Sequence, residues 1–271
     1  MPKIFINDLN HYYEQAGEGA SLVFIHGAFA DANLWEPQWQ YFSSQYRTLR
    51  YDLRGNGRTG SSNLAHYTIS TYAEDLTALL EALEIKSPIL CGLSMGGVIA
   101  QAYAVHNPGL PRALILASTS VSASLTQNEK LLRNVLMPGW AVQLAIRALG
   151  VKRFTRFSLW LAGYLWGKDW LGTRKDIREY VERCMLQVQD DEFMKIWEAI
   201  YGFDLLPLGR ITCPVLVLNG ECESKSILRH TAEILRCVPC AEAKIIPIAG
   251  HAMNMENPEA FNRLVEAFLS A

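Results

Sequence analysis

The sequence predicts an α/β protein: a mostly parallel central sheet with helices on both faces, interrupted by an inserted helical cap. Three observations predict it. Apolar runs of strand length alternate with segments of helical spacing through the first 117 residues and again from residue 213. The run Leu22-Val23-Phe24-Ile25 is apolar at every position, as a strand buried on both faces requires. The alternation breaks at about Val121 and resumes after about Leu206, and the stretch between reads as helix only.

Taken in order, residues 3–14 read as two short strands around the polar turn Asn7-Asp8-Leu9-Asn10, and Gly17-Glu18-Gly19 is the next turn. Strand 22–25 ends in His26-Gly27-Ala28, and strand 47–51 ends in Asp52-Leu53-Arg54-Gly55-Asn56-Gly57. Ser70 is the expected N-cap of a helix that carries Tyr72, Leu76, Leu79, Leu80 and Leu83 at helical spacing. Pro88-Ile89-Leu90 opens a strand that runs into Cys91-Gly92-Leu93-Ser94-Met95-Gly96-Gly97 and then a helix closed by Asn107-Pro108. Residues 113–117 form a further strand. Strands at 213–218 and 243–248 and a helix at 258–269 complete the chain. The expected core is therefore 1–121 with 207–271, and the cap is 122–206. The cap leaves the sheet at the C-terminal end of a strand, the edge where such sheets bind ligands. It holds five of the seven tryptophans: Trp140, Trp160, Trp166, Trp170 and Trp197.

The chain has 271 residues, half of them hydrophobic, enough for one large domain with an insertion. Its 25 basic and 27 acidic residues give a formal charge of −2, with no basic field of the kind that holds nucleic acid. The N-terminus lacks the apolar core of a signal peptide, and no apolar stretch reaches membrane-spanning length. The expectation is a cytoplasmic protein with no nucleic-acid or membrane partner, acting on a small molecule; oligomeric state is open. Of the six cysteines, Cys91 and Cys213 sit at strand-like runs and read as small buried hydrophobes. Cys237 and Cys240 have C-x-x-C spacing but close a helix instead of opening one, and no second ligand pair lies nearby. No metal or cofactor is expected.

Gly92-Leu93-Ser94-Met95-Gly96 has the form G-x-S-x-G at a strand-to-helix junction. So sharp a turn strains the serine backbone and lifts its hydroxyl above the sheet edge. The Met95 amide then lies at a helix N-terminus, where partial positive charge gathers. A serine hydroxyl needs a base, and the base needs a carboxylate to fix its tautomer. Only His230 and His251 come late enough in the chain, and His230 sits within a helical pattern. His251 directly follows the last strand on a loop, the better place for a base. Strand 213–218 ends in Asn219-Gly220-Glu221-Cys222-Glu223, which offers Glu223 as the acid with Glu221 as its rival. A second oxyanion donor should come from the loop after strand 22–25, where the Ala28 amide is placed to join that of Met95. His26 reads as a packing residue bonded to its own loop. Asp52 and Arg54 read as ties between neighbouring loops, and Lys152, Arg153 and Arg156 as a solvated face.

The combination of His26-Gly27 with Trp35, Asp52-x-Arg54-Gly55-x-Gly57, Gly92-x-Ser94-Met95-Gly96-Gly97, Gly220-Glu221-x-Glu223, and Gly250-His251 with Glu256-Asn257-Pro258 resembles the α/β-hydrolase fold superfamily. It is most similar to the capped, cofactor-free serine esterases, lactonases and haloperoxidase-like hydrolases. That resemblance implies Ser94 as nucleophile, His251 as base, and the Ala28 and Met95 amides as oxyanion hole. Two positions depart from the pattern. Glu223 stands where Asp is commoner, and Asn56 stands where the family usually has His. Ser94 separates the chain from haloalkane dehalogenases and epoxide hydrolases, which place Asp at the elbow. Ala252 after His251, where carbon–carbon hydrolases of ring-fission products often carry Trp, points away from that group.

The expected activity is hydrolysis of a carboxylic ester or lactone of a small apolar or aromatic substrate, through an acyl-enzyme. The other readings are a hydrolase-derived receptor with slow turnover and a carbon–carbon bond hydrolase.

Overall fold

The computed structural model describes residues 2–136 and 138–271. Strands β1 (Lys3–Ile6) and β2 (Leu9–Ala16) form an antiparallel hairpin. Its turn residues Asn7 and Asp8 both have positive φ, 42° and 68°, the backbone hand that matches strand twist in a two-residue hairpin. Next come β3 (Ser21–Ile25), α1 (Glu36–Phe42), β4 (Arg47–Tyr51), α2 (Ile69–Ala82), β5 (Ile89–Leu93), α3 (Met95–His106) and β6 (Ala113–Ala117). Four helices then separate β6 from the next strand: α4 (Gln127–Leu136), α5 (Gly139–Trp166), α6 (Lys175–Gln187) and α7 (Asp190–Gly202). The chain closes with β7 (Val215–Gly220), α8 (Lys225–Cys237), β8 (Ala241–Ile246), α9 (Met253–Glu256) and α10 (Pro258–Ser270).

All eight strands join one sheet in the order β1-β2-β4-β3-β5-β6-β7-β8. Strand β2 is antiparallel to both neighbours, and the strands from β4 to β8 are parallel. Alternate residues of the central strands feed two cores. Val23, Ile25, Leu90, Leu114, Leu116, Val215 and Val217 pack on the side of α2 and α3 with Leu76, Leu79 and Ile99. Leu22, Phe24, Ile89, Cys91, Ile115, Leu216 and Leu218 pack on the other side with Trp35, Phe42 and Phe261 from α1, α10 and the turn before α1. Burial on both faces is why these strands read as unbroken apolar runs. At the edge, β8 alternates instead, with Glu242 and Lys244 half exposed, the charged pattern that discourages strand addition.

Helix α2 starts two residues earlier than its sequence implies. Its N-cap is Thr68, whose hydroxyl accepts from the Thr71 amide while Thr71 Oγ1 accepts from the Thr68 amide. This is a capping box with threonine in the role usually given to Glu or Gln. Ser70 lies inside the helix. Among the described residues, no helix is long and apolar enough to cross a membrane.

The loop after β4 does what its residues foretell. Asp52 accepts from the Ala32 amide at 2.7 Å and the Arg58 amide at 2.6 Å. Arg54 is buried and clasps Asp75 of α2 with Nε at 2.8 Å and Nη2 at 2.7 Å, and also meets Asp8, Ser62 and the Asn7 carbonyl. Asn56 donates to the Arg54 carbonyl at 2.9 Å, so its amide braces the same turn. One guanidinium thus ties the N-terminal hairpin, the β4 loop and α2. Replacing Arg54 by Met strands the buried Asp75 carboxylate, so Arg54→Met is expected to lower unfolding free energy by about 3–5 kcal/mol, measured by urea titration.

Candidate active site

The chain passes from β3 to β4 on one side and returns to β5 on the other, so the strand order reverses between β3 and β5. In open parallel sheets the crevice beyond the C-terminal ends at such a reversal is the ligand site. Two loops meet there. His26-Gly27-Ala28 follows β3, and Ser94 follows β5.

Ser94 has φ 54° and ψ −119°, a backbone conformation unusual for a residue with a side chain. It persists because the surroundings leave no alternative. The Ser94 amide donates to the Ala117 carbonyl of β6 at 2.8 Å, and Thr119 Oγ1 donates to the Ser94 carbonyl at 2.8 Å. The flanking glycines are required by close approach. A Cβ on Gly92 would stand 2.3 Å from the Gly96 oxygen, and one on Gly96 would stand 2.1 Å from the Ile25 oxygen of β3. Ser94 itself is only half-buried. Met95 is the first residue of α3, so its amide has no partner within the helix. Gly27 packs against the serine: a Cβ there would lie 3.3 Å from Ser94 Cβ. The loop carrying the Ala28 amide therefore runs alongside the serine side chain.

His26 holds that loop. Its Nε2 accepts from the Leu53 amide at 2.9 Å, which leaves Nδ1 to donate to the Gly27 carbonyl at 2.7 Å. Full burial lowers the pKa of this ring and keeps the neutral tautomer that makes both bonds.

His251 lies on the loop after β8, and its Nδ1 is 2.8 Å from Glu223 Oε2. Glu223 is 7 % exposed, and its other oxygen accepts from the Ser224 amide at 2.6 Å. Burial pushes the Glu223 carboxyl's pKa up, but the facing imidazole and the Ser224 amide outweigh it and hold the value below that of an ordinary glutamate. Glu221 points elsewhere: its Oε2 accepts from the Ile248 amide at 2.9 Å. His230 is buried and accepts from the Val121 amide at 3.3 Å. Among the described residues no hydrogen bond joins Ser94 Oγ to His251. Catalytic contacts of this type are often loose before substrate binds.

Two residues at the site escape sequence reasoning. Glu256 brackets the histidine loop: Oε2 accepts from the Gly250 amide at 2.6 Å, and Oε1 accepts from Thr173 N, Thr173 Oγ1 and Arg174 N within 3.0 Å. Trp170 lies against the histidine. Its carbonyl accepts from the His251 amide at 2.6 Å, and the two rings are 5.8 Å apart. Both contacts link the β8 loop to the segment between α5 and α6, about 80 residues earlier, a pairing no local pattern announces.

Two further acids hold the helical insertion to the sheet. Asp31, just past the Ala28 loop, accepts from Tyr180 of α6 at 2.8 Å, and Glu192 of α7 accepts from Tyr67. Of the five tryptophans in the insertion, Trp170 reaches the site and Trp197 packs on Phe154. Trp140, Trp160 and Trp166 are exposed.

Comparison with known proteins fits this arrangement. The alpha/beta hydrolase family matches residues 22–264. This chain belongs to that family. Among its curated relatives is 3-oxoadipate enol-lactonase 2 of Acinetobacter baylyi, 26 % identical over 96 % of this chain and 92 % of the relative. A carboxylesterase of Bacillus subtilis is 24 % identical over 93 % of this chain and 81 % of its own length. Among solved structures, the enol-lactonase of Burkholderia xenovorans superposes with a TM-score of 0.81 at 24 % identity, covering 100 % of both chains. A thermophilic esterase from Thermogutta terrifontis gives 0.80 at 23 % identity, over 97 % of this chain and 93 % of its own.

Two outcomes are expected of this α/β-hydrolase. A carboxylate whose folded-state pKa is depressed stabilises the fold above its unfolded value, and loses that contribution as pH falls through the folded one. The stability gap between the natural chain and Glu223→Gln should therefore be widest at neutral pH and shrink below the ordinary glutamate value of 4.5, as followed by denaturant midpoints across pH. Glu256→Ala leaves four donors without their acceptor and should lower stability by about 1–3 kcal/mol in the same assay.

Proposed function

We propose that this chain is a serine hydrolase of carboxylic esters or lactones that works through an acyl-enzyme. The observation that carries the reading is the shared edge. A serine in a strained strand-to-helix turn and a histidine bonded to a buried glutamate rise from the same end of one parallel sheet.

In this mechanism Ser94 Oγ attacks the substrate carbonyl as His251 Nε2 takes its proton. Glu223 accepts from Nδ1–H, fixing the tautomer and stabilising the imidazolium. The tetrahedral oxyanion receives hydrogen bonds from the Ala28 and Met95 amides. Collapse expels the alcohol, which takes the proton from His251, and leaves the acyl group on Ser94. A water that surrenders its proton to His251 then attacks the acyl carbonyl and restores the serine. Every proton moves through His251, and no group beyond the protein and water takes part.

The names of the relatives support the bond class, since they include enol-lactonases and a carboxylesterase. The aromatic and aliphatic content of the insertion supports a small apolar or aromatic acyl or alcohol group. Beside the oxyanion loop the insertion joins the sheet through largely buried rings: Phe29 stacks on Phe193 of α7 at 4.3 Å, and Phe154 of α5 meets Phe193 and Trp197 edge-on. The insertion 122–206 serves in this reading as the cap over the site. Six free cysteines, including the Cys237 and Cys240 pair, support a reducing, cytoplasmic setting.

A labelled fluorophosphonate should modify Ser94, identified by peptide mapping. Ser94→Ala should abolish labelling and lower kcat on p-nitrophenyl esters by about 10⁴- to 10⁶-fold. Sustained turnover by Ser94→Ala would overturn the mechanism. A single slow turnover by the natural chain would favour the receptor reading instead.

A further inference from the structure

The outer face of α5 is the least expected surface of the molecule. Along it Phe157, Trp160 and Tyr164 form a ladder of rings, with centroids 6.0 and 6.3 Å apart. None of the three is sheltered: Trp160 is 65 % exposed and Tyr164 is 79 % exposed. Leu165 and Trp166 at the end of the helix are exposed as well, as are Trp140 and Leu144 before the bend at Gly150. A run of exposed apolar side chains this long marks a surface that is covered in use.

Charge says by what. Seven of the chain's 25 basic residues, and none of its 27 acidic ones, fall between Lys130 and Lys168. The rest of the chain is thus distinctly acidic. Lys152, Arg153, Arg156 and Lys168 are exposed around the ring ladder. Arg156 is paired with Glu182 of α6 at 3.2 Å. Beside Trp160 a hollow of about 460 Å³ opens between α5 and α6, with Leu159, Trp170 and Leu171 among its apolar walls and Lys168 and Lys175 among its charges. Lys175 meets Glu179 there at 3.3 Å.

We propose that the outer face of α5 and the turn after it form a peripheral docking surface for an anionic lipid bilayer. Trp and Tyr rings sit at the headgroup level of a bilayer, and a basic rim around an apolar helix face is the pattern of a helix that lies in that plane. Anionic headgroups supply the countercharge that α5 lacks in its own sequence. A second copy of the chain fits less well, because a twofold contact on this face would set Lys152 and Arg153 near their own equivalents. A helix lying in the headgroup plane need not be long or apolar enough to span a bilayer. The face also adjoins the candidate site, since Trp166 meets Trp170 edge-on at 4.9 Å and Trp170 lies on His251.

Flotation of the full chain with vesicles tests this without reference to turnover. At about 0.05 M salt the protein should float with phosphatidylcholine vesicles containing about 30 % phosphatidylglycerol, at least about tenfold more than with phosphatidylcholine alone. Raising salt to about 0.5 M should release most of it. Lys152→Glu with Arg153→Glu, and separately Trp160→Ser with Tyr164→Ser, should each cut binding about tenfold at an unchanged thermal midpoint. The charge pair, on exposed positions, decides the matter if the aromatic pair disturbs the fold. No flotation with anionic vesicles, or equal flotation with neutral ones, overturns the proposal. So does a dimer in sedimentation velocity that Trp160→Ser with Tyr164→Ser dissociates, since a second copy would then cover the face.

Discussion

Close backbone approach at the end of β5 is the constraint on which the rest of the structure depends. The turn at Ser94 exists only because Gly92 and Gly96 lack side chains, so that α3 can start directly above β3 and β5. That contact sets the height of the serine above the sheet and the direction of the α3 amides. It also presses the Gly27 loop against the serine side. Position, strain and donors thus come from a single packing fact. The bonds from Ala117 and Thr119 keep the strained backbone from relaxing.

A second principle organises the contact between sheet and insertion. Three carboxylates fasten it, each receiving donors from the opposite body. Asp31 takes Tyr180, Glu192 takes Tyr67, and Glu256 takes Thr173 and Arg174. Carboxylates in such places form strong charge-assisted bonds, and they frame an apolar contact in which Phe154, Phe193 and Ile196 of the insertion join the core on the α2 and α3 side. Glu256 reaches furthest into the candidate site, because its other oxygen holds the amide next to His251. The seat of the histidine and the seat of the insertion are therefore one assembly.

Sequence legibility followed burial. Strands buried on both faces, such as β3 and β6, declared themselves through unbroken apolar runs, and the elbow through glycine spacing. The edge strand β8 was harder to bound. It begins at Ala241 and stops at Ile246, because pairing with β7, and not its own composition, sets its ends. Ser70 was expected to cap α2, but Thr68, another hydroxyl residue two positions earlier, does so, paired with Thr71 in a capping box. Glu221 and Glu223 differ in sequence by two positions, but the turn after β7 sends one to the Ile248 amide and the other to the His251 ring. The tryptophans of the insertion were visible as composition alone. Whether each faces inward or outward depends on how four helices pack, which no single period encodes.

The order of the strands has a kinetic corollary. In the sheet β6 and β7 are neighbours, with Leu114 opposite Val215, yet about 100 residues, most of them helical, are made between them. At a ribosomal pace of about 5–20 residues per second, the hydrophobic flank of β6 waits on the order of 5–20 s for its partner. For that interval the nascent chain carries a raw strand border made of Leu114, Ile115 and Leu116. Helices of the intervening segment are made before β7, so the order of synthesis lets the insertion reach that border before the strand that finally covers it.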